Sequence, residues 1–208
     1  MDGKTRIEDK VLEYTLFQLG LFVDYLTFPR ESTKHLRLSE TPFDFANRRA
    51  IVIDDSDDDR VTLTSVDDLA QVVALAINFE AEWPVVGGIR DSDISIGQLM
   101  SLGEKACGDL PFHVEKFKAE NLENGNWWTS WLPKADHPAI PREQLEGFSK
   151  IGVAGILLDI SSNAFTALDE WNPLLPDLST SSLKWRAFWL QHGAVSLNEV
   201  IDKQGREC

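Results

Sequence analysis

The residues best suited to proton chemistry follow a glycine. The stretch Gly20-Leu-Phe-Val-Asp-Tyr25 sets a carboxylate, Asp24, beside a phenol, Tyr25, with Phe22 close before them. A general acid or base must stand within hydrogen-bond reach of the proton it moves, and carboxylate, phenol and imidazole side chains all serve. His137 is a further candidate. It sits in the stiff, proline-rich loop 133–141 with no carboxylate beside it in sequence, a setting that favours a plain surface histidine. His35 could serve in the same way. Trp127, Trp128 and Trp131 place three indoles within five residues, which cannot all face one way on a helix or strand. They read equally as a lid stapling a loop to the core and as a wall against a flat ligand. The acidic run 54–59 lacks the central glycine and closing glutamate of a calcium loop, so it reads as a charged turn and no metal is expected. Gly87-Gly88 is the only candidate for a phosphate-cradling turn, and without a third glycine it reads as a strand end.

These residues need a frame. Residues 12–18 mix apolar, β-branched and aromatic side chains, which predicts a strand buried on both faces, as in a parallel sheet. Gly20 lets the chain turn without a Cβ clash, and Leu21, Phe22, Tyr25 and Leu26 recur at helical spacing. Ligands of open α/β sheets bind beyond the carboxyl ends of strands. Gly20, Phe22, Asp24 and Tyr25 therefore stand where a pocket is expected. Residues 27–47 read as a long loop. Residues 50–53 and 61–64 predict two strands joined as a hairpin by the acidic turn. Ser65 caps a helix over 65–78, with Asp68 as an acidic version of the capping box and Leu69, Val72, Val73, Ala76 and Ile77 as its apolar face. Residues 83–88 predict a strand, Ser95 and Gln98 a capping box, and Gly108 the stop of that second helix. Residues 112–117 alternate as a half-exposed strand. Residues 142–167 predict a helix broken near Gly152 and Gly155, burying Ile151, Val153, Ile156, Leu157 and Ile160. Residues 181–191 predict a last helix.

Hydrophobic residues make up 43% of the 208 and charged residues 26%, ordinary proportions for a globular protein. The formal net charge of −14 repels phosphate backbones and anionic lipid, so neither nucleic acid nor a membrane is expected as a partner. No apolar run is long enough to cross a bilayer and no secretory pattern opens the chain. Cys107 and Cys208 read as free thiols of a reducing compartment, which places the chain in the cytoplasm.

Taken together, several segments resemble a known family. Leu12-Glu-Tyr-Thr-Leu-Phe-Gln-Leu-Gly-Leu-Phe-Val-Asp-Tyr-Leu26 looks like the strand and turn of NmrA-like, isoflavone-reductase-like proteins. Thr62-Leu-Thr-Ser-Val-Asp-Asp-Leu-Ala70 is similar to that family's strand-plus-helix signature. Glu82-Trp-Pro-Val-Val-Gly-Gly-Ile89 and Asp169-Glu-Trp-Asn-Pro-Leu-Leu-Pro-Asp177 resemble segments of its fungal members. The resemblance extends to about Leu190. It implies an atypical short-chain dehydrogenase: a truncated doubly wound, Rossmann-like parallel sheet over 1–90, a smaller α+β substrate region over 91–190 and a tail over 191–208, in one domain. It implies reduction of a small aromatic or polyketide-like metabolite with NAD(P). It also places Lys4 near the family's active-site lysine and puts Leu19 where the family has a proline. The family's glycine fingerprint is missing, because the chain begins roughly where the family's second half begins. The nucleotide site is therefore expected to be incomplete, with the sheet edge covered by a second copy or a partner chain. Two readings compete with the reductase: a redox-independent isomerase, cyclase or dehydratase that keeps the substrate pocket, and a non-catalytic regulator that docks a basic partner. A truncated product without activity is a fourth.

Overall fold

Which strand lies at the centre is decided by β-sheet burial. In a computed structural model, residues 4–7, 10–31, 33–90, 92–135 and 137–175 are described, with side chains from Glu13 onward. The strands are β1 (Lys4–Ile7), β2 (Lys10–Glu13), β3 (Leu16–Gln18), β4 (Leu21–Phe22), β5 (Phe43–Asp44), β6 (Arg49–Ile53), β7 (Arg60–Thr64), β8 (Val86–Gly88), β9 (Ser92–Ser95) and β10 (His113–Phe117). The helices are α1 (Val66–Ala76), α2 (Ile96–Ala106), α3 (Ala119–Glu123) and α4 (Leu145–Ser161), with 3-10 turns at Val23–Thr27, Arg142–Gln144 and Asn172–Leu174.

The result is a mixed α/β protein whose described strands are shared among four small sheets. β1 and β2 form an antiparallel pair. β3 runs parallel to β8. β6 lies between parallel β10 and antiparallel β5, and β7 between parallel β4 and antiparallel β9. Parallel pairs thus recur, three times, but not within one sheet.

The strand buried on both faces is β6, not residues 12–18. Its Ala50 and Val52 face one apolar cluster, with Leu21, Phe43, Val61, Leu63 and Leu99, while Ile51 and Ile53 face a second, with Trp127, Trp131, Val153 and Leu157. Residues 12–18 break at Tyr14–Thr15, and beyond the break the pattern alternates: Leu16 is 56% exposed and Phe17 turns inward. The helical spacing after Gly20 resolves into the two residues of β4 and a 3-10 turn.

β6 and β7 form no hairpin either. Both are buried along nearly their whole length, so each needs neighbours on both edges, and it finds them in different sheets. The acidic turn between them is stabilised locally: the Ser56 hydroxyl donates to the Ile53 carbonyl at 2.7 Å and Asp59 N–H to the Ser56 carbonyl at 2.9 Å. The two capped helices stand where their caps put them. Ser65 Oγ accepts from Asp68 N–H at 3.0 Å, and Ser95 and Gln98 make a full capping box. On α1, Val72 and Ala76 are buried but Ile77 is exposed.

α4 continues through Gly152 and Gly155 without a break. Two interior glycines cost roughly 1 kcal/mol each relative to alanine. Burying Val153 and Leu157 offsets this, at roughly 1.5–3 kcal/mol each. Ile151, expected inside, is 73% exposed. The helix expected over 181–191 lies outside the described residues. No helix among the described residues is long and apolar enough to cross a membrane.

Candidate functional site

β4 and β7 run parallel, with Leu21 beside Leu63 and Phe22 beside Thr64, so both strands deliver their carboxyl ends to one place. From β4 the chain enters the 3-10 turn carrying Asp24 and Tyr25; from β7 it enters Ser65 and α1. The two exits are tied together. Asp24, 7% exposed, accepts the Val66 N–H with its Oδ2 at 2.9 Å. That N–H is one of the four at a helix start without an intrahelical partner, and a carboxylate there also meets the positive end of the helix dipole. Asp24 is thereby a positioning group: it fixes the angle between β4's exit and α1. Thr64 Oγ1 donates to the Leu19 carbonyl at 2.9 Å and closes the same corner.

Phe22 and Tyr25 are half-buried, with ring centroids 6.2 Å apart and planes tilted by 60°. The Tyr25 hydroxyl makes no hydrogen bond among the described residues. Gly20 has φ +67°, and a Cβ on it would lie 2.2 Å from the Thr62 carbonyl oxygen and 2.8 Å from that of Phe165. Its α carbon is pressed onto backbone, so it shapes the corner from behind. The structure therefore groups four of the ten candidates: Gly20, Phe22, Asp24 and Tyr25.

The tryptophans belong to the other face of β6. Trp127 and Trp131 are buried in the second cluster, whereas Trp128 is 78% exposed. Arg49 lies over the Trp131 ring at 4.2 Å while its Nε holds Asp44 at 2.7 Å, and Lys150 Nζ stands 5.3 Å from the Trp127 ring centre. Two indoles staple their loop to the core and one faces solvent. His137 is exposed, and its Nδ1 accepts the Ala139 N–H at 3.1 Å. Lys4 lies on β1, and its side chain is outside the described residues. His35 is exposed.

The tryptophan loop also carries a group that the sequence reading passed over. Glu115 on β10 accepts the Ser130 N–H at 3.2 Å and the Ser130 hydroxyl, and His113 Nε2 stands 3.6 Å from its Oε1. Burial pushes the Glu115 carboxyl up, but the Ser130 and Thr129 hydroxyls, the Ser130 N–H and His113 together hold it below the usual carboxylate range. Serine, histidine and carboxylate meet here, yet both partners approach the same carboxylate oxygen. The imidazole does not stand between the serine and the acid, so it cannot relay the serine's proton. His113 and Glu115 stand two apart, on one face of a strand, which could have pointed to the cluster; Ser130 carries no such signal.

A water-sized cavity of about 10 Å³ lies between Val52, Ile53, Ile96, Leu157 and Ile160, with Ser56 and Asp59 as its polar groups. It is lined by none of the ten candidates. Burial, moderated by the Ser161 hydroxyl and reinforced by Asp58, raises the Asp59 carboxyl above its ordinary value. Among the described residues no three histidine, cysteine or carboxylate side chains converge as metal ligands.

At the glycine pair and at the starts of α1 and α2, donors that a dinucleotide phosphate would use are engaged within the chain. Gly87 and Gly88 are filled from within: a Cβ on Gly87 would strike the Trp171 indole at 2.1 Å, and the Gly88 N–H donates to Glu170 Oε2 at 2.8 Å. The α1 start is taken by Asp24 and Ser65, and the Ile96 and Gly97 N–H groups of α2 by the Asp59 and Asp57 carbonyls, both at 2.9 Å. A phosphate needs such donors free. No known family, no curated protein and no solved structure matches the chain.

Proposed function

We propose that the chain is the small-molecule-binding part of an NmrA-like, isoflavone-reductase-like protein, built on a truncated doubly wound sheet and tailoring a small aromatic or polyketide-like metabolite. The observation that supports this most is the parallel β4–β7 pair, which brings Phe22 and Tyr25 to the carboxyl ends of two strands, with Asp24 locking the corner. Phe22 and Tyr25 offer ring faces to a flat ligand, and the Tyr25 hydroxyl gives or takes its proton. In this reading Leu16 and Val86, side by side and exposed on β3 and β8, mark an apolar face of that two-stranded sheet that a second copy or a partner chain covers.

No hydride step is assigned to these residues. Because the donors at Gly88 and at the start of α1 are used within the chain, the second reading is a redox-independent isomerisation, cyclisation or dehydration at the same corner. One titration tests both. Thermal shift is followed with planar aromatic metabolites and with saturated analogues of equal size, each with and without NADPH. The expected result is stabilisation by the planar set alone, weakened about fivefold by Phe22→Ala, the loss of one ring contact worth roughly 1 kcal/mol. Turnover without nucleotide that Tyr25→Phe abolishes supports the redox-independent reading. Turnover only with NADPH supports the reductase. No ligand response at millimolar concentration refutes both.

A further inference from the structure

β10 lies at the edge of its sheet, and its outer side is unpaired. Toward β6, the His113 N–H donates to the Arg48 carbonyl at 2.8 Å and the Phe117 carbonyl accepts the Asp54 N–H at 2.8 Å. Backbone groups alternate in direction along a strand. His113, Glu115 and Phe117 therefore turn theirs toward β6, and Val114 and Lys116 turn theirs outward. Among the described residues nothing bonds those outward N–H and C=O groups. His113, Val114 and Lys116 are exposed. A row of free backbone groups is a template for one more strand. His113 and Glu115 share one face of the sheet, with Val114 between them on the other.

We propose that this edge pairs antiparallel with the β10 edge of a second copy, about a two-fold axis perpendicular to the sheet at Val114. The axis fixes the register, since each step forward on one strand is a step back on the other. Val114 lies opposite Val114 of the partner subunit, and the two exchange both N–H···O bonds. His113 lies opposite Glu115 of the partner subunit, and Glu115 opposite His113 of the partner subunit. A slip of one residue sets inward-turned groups against outward-turned ones. Moving the axis to Glu115 opposes two carboxylates, and moving it to Lys116 opposes two ammonium groups; like charges directly opposite destabilise. Of these three axes, the one at Val114 alone sets imidazole against carboxylate, and does so twice. His-Val-Glu is thus its own complement when read antiparallel, which is what an isologous contact requires. Glu115 is already ordered, because the Ser130 hydroxyl and its N–H, at 3.2 Å, hold the carboxylate. The contact is short beside the roughly 1,200 Å² that stable interfaces bury, so the dimer is weak and dissociates on dilution.

Sedimentation equilibrium of the full chain, from about 10 μM to about 1 mM, brackets the expected Kd. Salt at about 0.15 M screens the general repulsion between two chains of net charge −14. The mass should rise from monomer toward dimer across that range. Amide exchange, read residue by residue, should slow at Val114 and Lys116 as concentration rises and stay unchanged at Glu115, whose N–H is already bonded to β6. That readout separates this contact from one through the Leu16–Val86 face. His113→Glu, at an exposed position, should fold as wild type and associate at least about tenfold more weakly, because both cross-strand pairs become like-charged. His113→Lys, charged at neutral pH, should associate about threefold more tightly. Val114→Pro removes the central donor at an edge position that tolerates proline and should be monomeric. The opposite shifts at His113 decide the matter even where Val114→Pro fails to fold. Wild type that stays monomeric at about 1 mM overturns the proposal. So does a dimer in which the Val114 and Lys116 amides exchange as fast as in the monomer, or a His113→Glu variant that associates like wild type.

Discussion

Replacing Gly20 with alanine separates the cost of a left-handed backbone from the cost of intrusion. Gly20 has φ +67°, as Gly125 does at +68°, but a Cβ on Gly125 meets nothing within 4 Å. Alanine at either position carries the left-handed penalty of roughly 1–2 kcal/mol. At Gly20 the new methyl must also displace the Thr62 and Phe165 carbonyl oxygens, both backbone atoms. The Phe165 carbonyl accepts the Thr62 N–H at 2.9 Å, so moving it strains that bond as well. Forcing such a group into a packed site adds roughly 1–3 kcal/mol. Gly20→Ala should therefore cost about 2–5 kcal/mol, and Gly125→Ala about 1–2. The unfolded-state gain common to any Gly→Ala change cancels in the comparison. At roughly 2–4 °C per kcal/mol for a chain of this size, Gly20→Ala should melt roughly 2–12 °C below Gly125→Ala. Urea unfolding followed by circular dichroism gives the same comparison as free energy. If the two variants are equally stable, the corner at Gly20 is not packed as described and the geometry of the candidate site falls with it.

Asp24→Ala should destabilise the fold by about 1.5–3 kcal/mol, the worth of a hydrogen bond to a charged group, and speed amide exchange in the first turn of α1; unchanged exchange there would show that Asp24 does not hold the helix. Glu115 has a folded value below its unfolded one, near 4.3, so its contribution is full above that pH and lost as pH falls through the folded value. Glu115→Gln should accordingly lag wild type in stability at neutral pH and converge with it in acid, as chemical denaturation at stepped pH will report. Asp59 has the opposite sign: its raised carboxyl lowers stability as pH rises above about 3.8, so Asp59→Asn should match or exceed wild type at pH 7 and lose that advantage in acid. Cys107 is buried, and burial pushes its thiol up despite the nearby Arg48 charge. In a Cys208→Ser background a thiol reagent should label it only as fast as the protein opens, and rapid labelling of the folded chain would contradict its placement.

What could be read from the sequence was local. Ser65 with Asp68, and Ser95 with Gln98, are three residues apart, and their bonds form within one helical turn whatever the rest of the chain does. Strand pairing is not local. Residues 50–53 are apolar at every position, which marks burial on both faces, but that pattern does not say which strands lie alongside; β6 finds β10 some sixty positions later. The threonines of β7 look like half-exposed strand residues. Thr62 and Thr64 are fully buried because Thr62 Oγ1 accepts the Ala167 N–H and Thr64 donates to Leu19, partners 105 and 45 positions away. In α4 nearly every residue from Ile151 to Ile160 is apolar or small, so periodicity does not single out the buried face, and Ile151, expected on that face, lies on the exposed one. At the site, the types of Asp24 and Tyr25 were legible. The role of Asp24 was not, because Val66 lies 42 positions on.

That asymmetry bears on the chemistry the corner can support. A carboxylate committed to a helix start is fixed in position and already accepts a hydrogen bond, so using it as a base would loosen the element it anchors. The Tyr25 hydroxyl, unbonded among the described residues and carried on the same 3-10 turn, has no such duty. Under the proposed function the labour divides so that Asp24 holds the frame, the two rings take a flat ligand, and Tyr25 handles the proton. Tyr25→Phe should then remove turnover while leaving stability and ligand affinity nearly intact, whereas Asp24→Asn should lower all three together. If Asp24→Asn silences turnover in a protein as stable as wild type, the roles are reversed and Asp24 is the group that moves the proton.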